Sequence, residues 1–151
     1  MNIQKVSQQL RSKLYLLVLV GALVIMVAIK VWLLIIDVVP FNADEAIVGL
    51  MARHILQGER PVFFYGQAYM GSLDALLVAG VFTICGQEVW VIRFVQILLY
   101  LGTIITTVII GKVAFRSIGT GLIAAFLLAV PNINTTLYTT ISLGGYGETL
   151  L

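Results

Sequence analysis

The 151-residue chain has one cysteine, one histidine and three prolines, and only 11% of it is charged. The lone Cys85 excludes an internal disulfide. It sits among Phe82, Thr83 and Ile84, as a small packing residue would. One histidine, His54, and one cysteine cannot assemble a structural zinc site. No G-x-x-x-x-G-K-[ST] phosphate loop is present. Runs of one charge sign are missing and the net charge is only +2, so no nucleic-acid partner is expected. The charged fraction is less than half of the roughly 25% usual in a soluble domain.

What the chain does have is apolar bulk, 60% of all residues. A soluble globule of this size buries only about 68–70% of its unfolded surface. The composition therefore implies an all-α fold, a polytopic helical integral membrane protein with membrane lipid as its surroundings. The first apolar run, 14–36, is long enough for the roughly 20 residues that cross hydrocarbon. It ends in Ile35-Ile36-Asp37 with no small-residue cleavage site, so it reads as a span and not a signal peptide. Lys5, Arg11 and Lys13 precede it and put the N-terminus in the cytoplasm of a multi-pass protein of the cell membrane. Lys30, near the outer end, reads as a snorkelling cation; the sharper alternative is a contact with an anionic ligand group.

Asp37 to Glu88 holds six of the seven acidic residues. Asn42 and Glu45 have capping-box spacing and open an amphipathic helix over 43–57, with Ile47, Leu50, Met51 and Ile55 as its apolar stripe and Gly58 as its stop. Its charge and length place it along the membrane surface. Pro61 to Gly71 reads as irregular chain, and Ser72 as the cap of a second short helix, 73–85. A helix of that length suits an interfacial or re-entrant segment. If it does not cross, the next span is 89–111, and Lys112 and Arg116 join the N-terminal basic residues on the cytoplasmic side. The third span is expected over 118–136. The chain then passes Gly144-Gly145-Tyr146-Gly147-Glu148 and ends at Leu150-Leu151 as if entering another helix. The expectation is the N-terminal part, 1–151, of a single larger transmembrane domain.

Asp44-Glu45 opens the surface helix directly after the first span. Acids there favour the helix dipole. They could equally supply a carboxylate that takes a proton from an attacking hydroxyl or amine, where a lipid-borne substrate meets a water-borne one. Tyr65 and Tyr69 offer flat faces to a sugar ring, or belong to an interfacial aromatic belt. His54 reads as an interfacial residue.

The ordered set is more specific than its parts. A first span leads to Asp44-Glu45-Ala46, then to Tyr65-Gly66-Gln67-Ala68-Tyr69-Met70-Gly71-Ser72 and a short helix ending Cys85-Gly86. Glu88-Val89-Trp90-Val91-Ile92-Arg93 opens the next span, and Gly111-Lys112-Val113-Ala114-Phe115 closes it. This resembles the N-terminal portion of the GT-C glycosyltransferases, above all the protein O-mannosyltransferase and lipid A aminoarabinose transferase superfamily. The resemblance implies sugar transfer from a polyprenyl-phosphate carrier to a lipid, glycan or protein acceptor on the extracytoplasmic face. It makes Asp44 the essential acidic residue that activates or positions the acceptor, and Glu45 its catalytic neighbour. Glu148 matches a second acidic residue after the third span. Lys30 and Arg93 become candidates for neutralising carrier phosphate, and Tyr65 and Tyr69 for holding substrate. No cofactor is implied, and divalent-metal use stays open. Two other classes fit the composition: a transporter or permease, and a non-catalytic membrane subunit.

Overall fold

The computed structural model describes residues 3–151. Helix α1 covers Ile3–Ile35, and its stretch Gln9–Ile35 is one of two helical stretches long and apolar enough to cross a membrane among the described residues. The chain leaves it through Asp37, a left-handed residue of a type that tolerates that conformation.

Helix α2 spans Ala43–Leu56. Asn42 Oδ1 accepts from the Glu45 N–H at 2.9 Å, and the Asn42 N–H donates to Glu45 Oε2 at 3.4 Å, so the capping box forms. Gly58, at φ +101°, turns the chain out of the helix. Three residues of the expected stripe face the core: Met51 is buried and Ile47 and Ile55 pack against it. Glu45, Val48 and Ala52 complete the buried face, while Leu50 is 47% exposed.

The stretch 61–71, expected to be irregular, contains a β-hairpin. Strands β1 (Phe63–Phe64) and β2 (Gln67–Gly71) pair antiparallel, with Gly66 at φ +82° in the turn and a register irregularity after Phe63. The strands are too short for an alternation to show in sequence. Ser72 does not cap the next helix; its Oγ donates to the Pro61 carbonyl at 2.5 Å and closes the base of the hairpin.

Helix α3, Leu73–Cys85, matches the expected bounds and is about 20 Å long, too short to cross hydrocarbon. Cys85 is exposed at its end, not packed as expected. Helix α4, Val89–Ala114, is the second helix able to span and runs three residues beyond the expected 111. Helix α5, Ile118–Ala129, follows after Ser117 Oγ accepts from the Thr120 N–H. The third apolar run is therefore not one continuous helix over 118–136. Pro131 lacks an N–H and disfavours helical backbone at Val130, so the helix stops. Asn132 then caps a short helix α6, Ile133–Tyr138, and a last turn, α7, covers Tyr146–Thr149.

These elements make two layers. Ala22 and Met26 of α1, Tyr100 and Ile104 of α4, and Ala125 and Ala129 of α5 form a helical bundle core. Val48 and Met51 of α2, Phe64 of β1, Val78 and Phe82 of α3, and Val91 and Val95 of α4 form a second core, the cap layer. Helix α4 runs through both. The bundle closes on glycine: a Cβ on Gly111 would lie 2.3 Å from Gly121 Cα, so α4 and α5 meet backbone to backbone. The fold is thus mostly helical with two membrane-length helices and one small hairpin.

Candidate functional site

The cap layer gathers the acidic residues of α2, α3 and α7. Glu45 is fully buried and held by Arg93 from α4, with Nε to Oε1 at 2.9 Å and Nη2 to Oε2 at 3.0 Å. This two-point pair, with the Asn42 cap, uses both carboxylate oxygens. Two expected site residues thus neutralise one another, and neither presents a free charge to a substrate.

Asp44, one position earlier, points about 100° further round the helix. Its side chain is half-buried and makes no hydrogen bond or ion pair to any described residue. It lies in the first turn of α2.

Asp74, in the first turn of α3, is buried. Its Oδ1 accepts from Gln96 Nε2 at 2.9 Å, and its Oδ2 accepts from Ser142 Oγ. Burial pushes its carboxyl up to about 6; the nearby Glu148 and Glu45 push the same way, and the Ser142 and Gln96 hydrogen bonds oppose them. From sequence Asp74 is a first-turn acid of α3 and, in the transporter reading, a transport-path candidate; Gln96 and Ser142 were passed over. The available signal was Gln96, an amide inside an apolar helix, which needs a partner there.

Glu148 and Tyr69 line one cavity of about 430 Å³, with Met70, Gly71 and Leu73 on one side and Gly144 and Gly145 on the other. Glu148 Oε2 is buried there without a hydrogen-bond partner. Tyr69 is 82% exposed and leaves its ring open beside the cavity. Tyr65 lies elsewhere: its hydroxyl donates to Glu59 Oε2 at 2.9 Å and sits 3.0 Å from His54 Nδ1. His54 is accordingly a half-buried partner of Tyr65.

Lys30 does not snorkel. It is 1% exposed, and its Nζ donates to the Thr139 carbonyl at 2.6 Å, to Thr139 Oγ1 at 2.8 Å and to Thr140 Oγ1 at 2.9 Å. The segment after α6 folds over this side chain and supplies all of these acceptors. Among the described residues no three His, Cys, Asp or Glu side chains converge on a common metal position. Glu45, Arg93, Asp74 and Glu148 thus share one neighbourhood, Asp44 flanks it, and Lys30 and Tyr65 stand apart. Compared with known protein families, curated proteins and solved structures, the chain matches none.

Proposed function

We propose that this protein is a membrane glycosyltransferase that moves a sugar from a polyprenyl-phosphate carrier to a lipid, glycan or protein acceptor. In this reading the N-terminus is cytoplasmic, the cap layer faces the extracytoplasmic side, α1 and α4 cross the bilayer, and the chain returns to the cap layer through α5 and α6. The observation that carries it is the contrast within one helical turn. Glu45 is locked by Arg93, while Asp44 keeps an unpartnered, half-buried carboxylate. A carboxylate so placed is available as a base. Asp44 takes the proton from the acceptor hydroxyl or amine as that atom bonds to the anomeric carbon. The bond from that carbon to the carrier phosphate breaks, and the electron pair leaves with the polyprenyl phosphate. Glu45 and Arg93 fix the start of α2, so that Asp44 keeps its direction. Glu148 and Tyr69 offer an acceptor oxygen and an open ring to the sugar. Lys30, with its ammonium fully bonded, is not a charge available to a transport path.

The test is transfer of labelled sugar by membranes bearing the complete gene product. Asp44→Asn keeps size and removes the base, and should slow transfer by about 10²–10⁴. Asp74→Asn should be much milder. Near-parental transfer by Asp44→Asn would refute the reading and leave Asp44 as a helix-dipole residue.

A further inference from the structure

The segment from Thr139 to Glu148 carries one wall of the cavity, yet has almost no regular structure of its own before α7. It is held by side chains from far along the chain. All three N–H donors of Lys30 end on Thr139 and Thr140, and the ammonium lies 4.7 Å from the Tyr100 ring centroid. Two residues on, Ser142 Oγ donates to Asp74, which Gln96 also engages. Thr139, Thr140 and Ser142 are all buried. Beyond them the fit is close: a Cβ on Gly144 would come 2.6 Å from the Phe64 ring, and one on Gly147 would come 2.2 Å from Gln96 Oε1.

Stability alone does not account for Lys30. It pairs with no carboxylate, and a buried charge in an otherwise apolar helix is costly. The Thr139 and Thr140 hydroxyls would keep a partner without it, because they already donate to the Thr135 and Thr136 carbonyls at 2.6 Å; only the Thr139 carbonyl would lose its donor. What the ammonium adds is attachment of this segment to α1.

We propose that Lys30 and Asp74 are positioning residues that clamp the 139–148 segment from opposite sides, Lys30 from α1 and Asp74 from α3, and so hold Glu148 in the cavity wall facing β2. The consequence for sugar transfer rests on the glycosyltransferase reading; the seating of the segment does not.

The experiment reads seating directly. Ile141 is 7% exposed and sits between the two anchors. Ile141→Cys, in a Cys85→Ser background of the complete gene product, should react slowly with an impermeant maleimide. Lys30→Met and Asp74→Leu should each raise that rate about tenfold or more, as local opening becomes easier. Asp74→Asn should keep it slow, because the amide oxygen still accepts from Gln96 and its N–H can donate to Ser142 Oγ. Lys30→Met should insert in the membrane as well as the parent. In the transfer assay, Lys30→Met and Asp74→Leu should lower kcat/KM by about 10²-fold, mostly through KM because Asp44 is intact, with Asp74→Asn again near parental. Unchanged labelling in both Lys30→Met and Asp74→Leu overturns the clamp, as does equal loosening by Asp74→Asn. If labelling responds as expected but no form of the protein transfers sugar, the clamp stands and the glycosyltransferase reading fails.

Discussion

The bundle core and the cap core solve the same problem with different chemistry. Where α1, α4 and α5 meet, the core is Ala22, Met26, Ile104, Ala125 and Ala129, and close approach comes from Gly111 against Gly121. The Tyr100 hydroxyl is satisfied within it, donating to the Leu128 carbonyl at 2.8 Å. The cap core also has an apolar centre, but it encloses the Glu45–Arg93 pair and the Gln96–Asp74–Ser142 chain of hydrogen bonds. Both follow one rule: a polar group away from water must be partnered inside the protein. In the bundle the rule is met by having few such groups. In the cap layer it is met by pairing Glu45 and Asp74, while Glu148 Oε2 stays buried without a partner beside the cavity and Asp44 stays half-buried and unpartnered. Capacity for chemistry therefore concentrates in the layer that does not need to be apolar throughout.

The comparison is broken most forcefully at the ion pair. Arg93→Met leaves Glu45 buried and unpaired, which should destabilise the protein by about 3–5 kcal/mol. Adding Glu45→Met should recover most of that loss, since a well-packed apolar pair can replace a buried ionic one. Denaturant unfolding in detergent gives both values. Unfolding of the single variant at the parental midpoint would mean that the cap layer does not depend on the pair.

A smaller effect sharpens the contrast between the layers. A Cβ on Gly121 of α5 would lie 2.7 Å from the Val108 carbonyl oxygen, while one on Gly80 of α3 meets nothing within 4 Å. Gly121→Ala should therefore cost about 1–3 kcal/mol by forcing α5 off α4. Gly80→Ala should be neutral or stabilising by up to about 1 kcal/mol, as in any open helical position. Equal responses in unfolding would show that the bundle is not closed by backbone contact.

The helices were legible in the sequence because their signals are local. The Asn42–Glu45 box sits three residues apart, and 73–85 is bounded by Ser72 and Gly86. The hairpin was not, since two short strands around Tyr65-Gly66 give no period to read. Pro131 was visible, but the hydropathy around it hid a break that its missing N–H enforces. For the site, the residue pattern singled out Asp44 and Glu45 together, and only the resemblance ranked Asp44 first. What distinguishes them is Arg93, 48 residues away and brought in by tertiary packing. Lys30 needed a partner 109 residues distant before its burial made sense, and Asp74 one 68 residues distant. Non-local pairing of this kind leaves no periodic trace.

Sidedness decides whether the cap layer can meet a substrate outside the cell, and thiol labelling measures it directly. Ala68 and Gln87, at the hairpin and beyond α3, are exposed, as is Lys112 at the far end of α4. In a Cys85→Ser background of the complete gene product, Ala68→Cys and Gln87→Cys should both react with an impermeant maleimide added to intact cells, and Lys112→Cys only after permeabilisation. Labelling of Lys112→Cys from outside, with Ala68→Cys and Gln87→Cys protected until the cells are opened, would put the Asp44 layer in the cytoplasm and contradict the proposed reaction face.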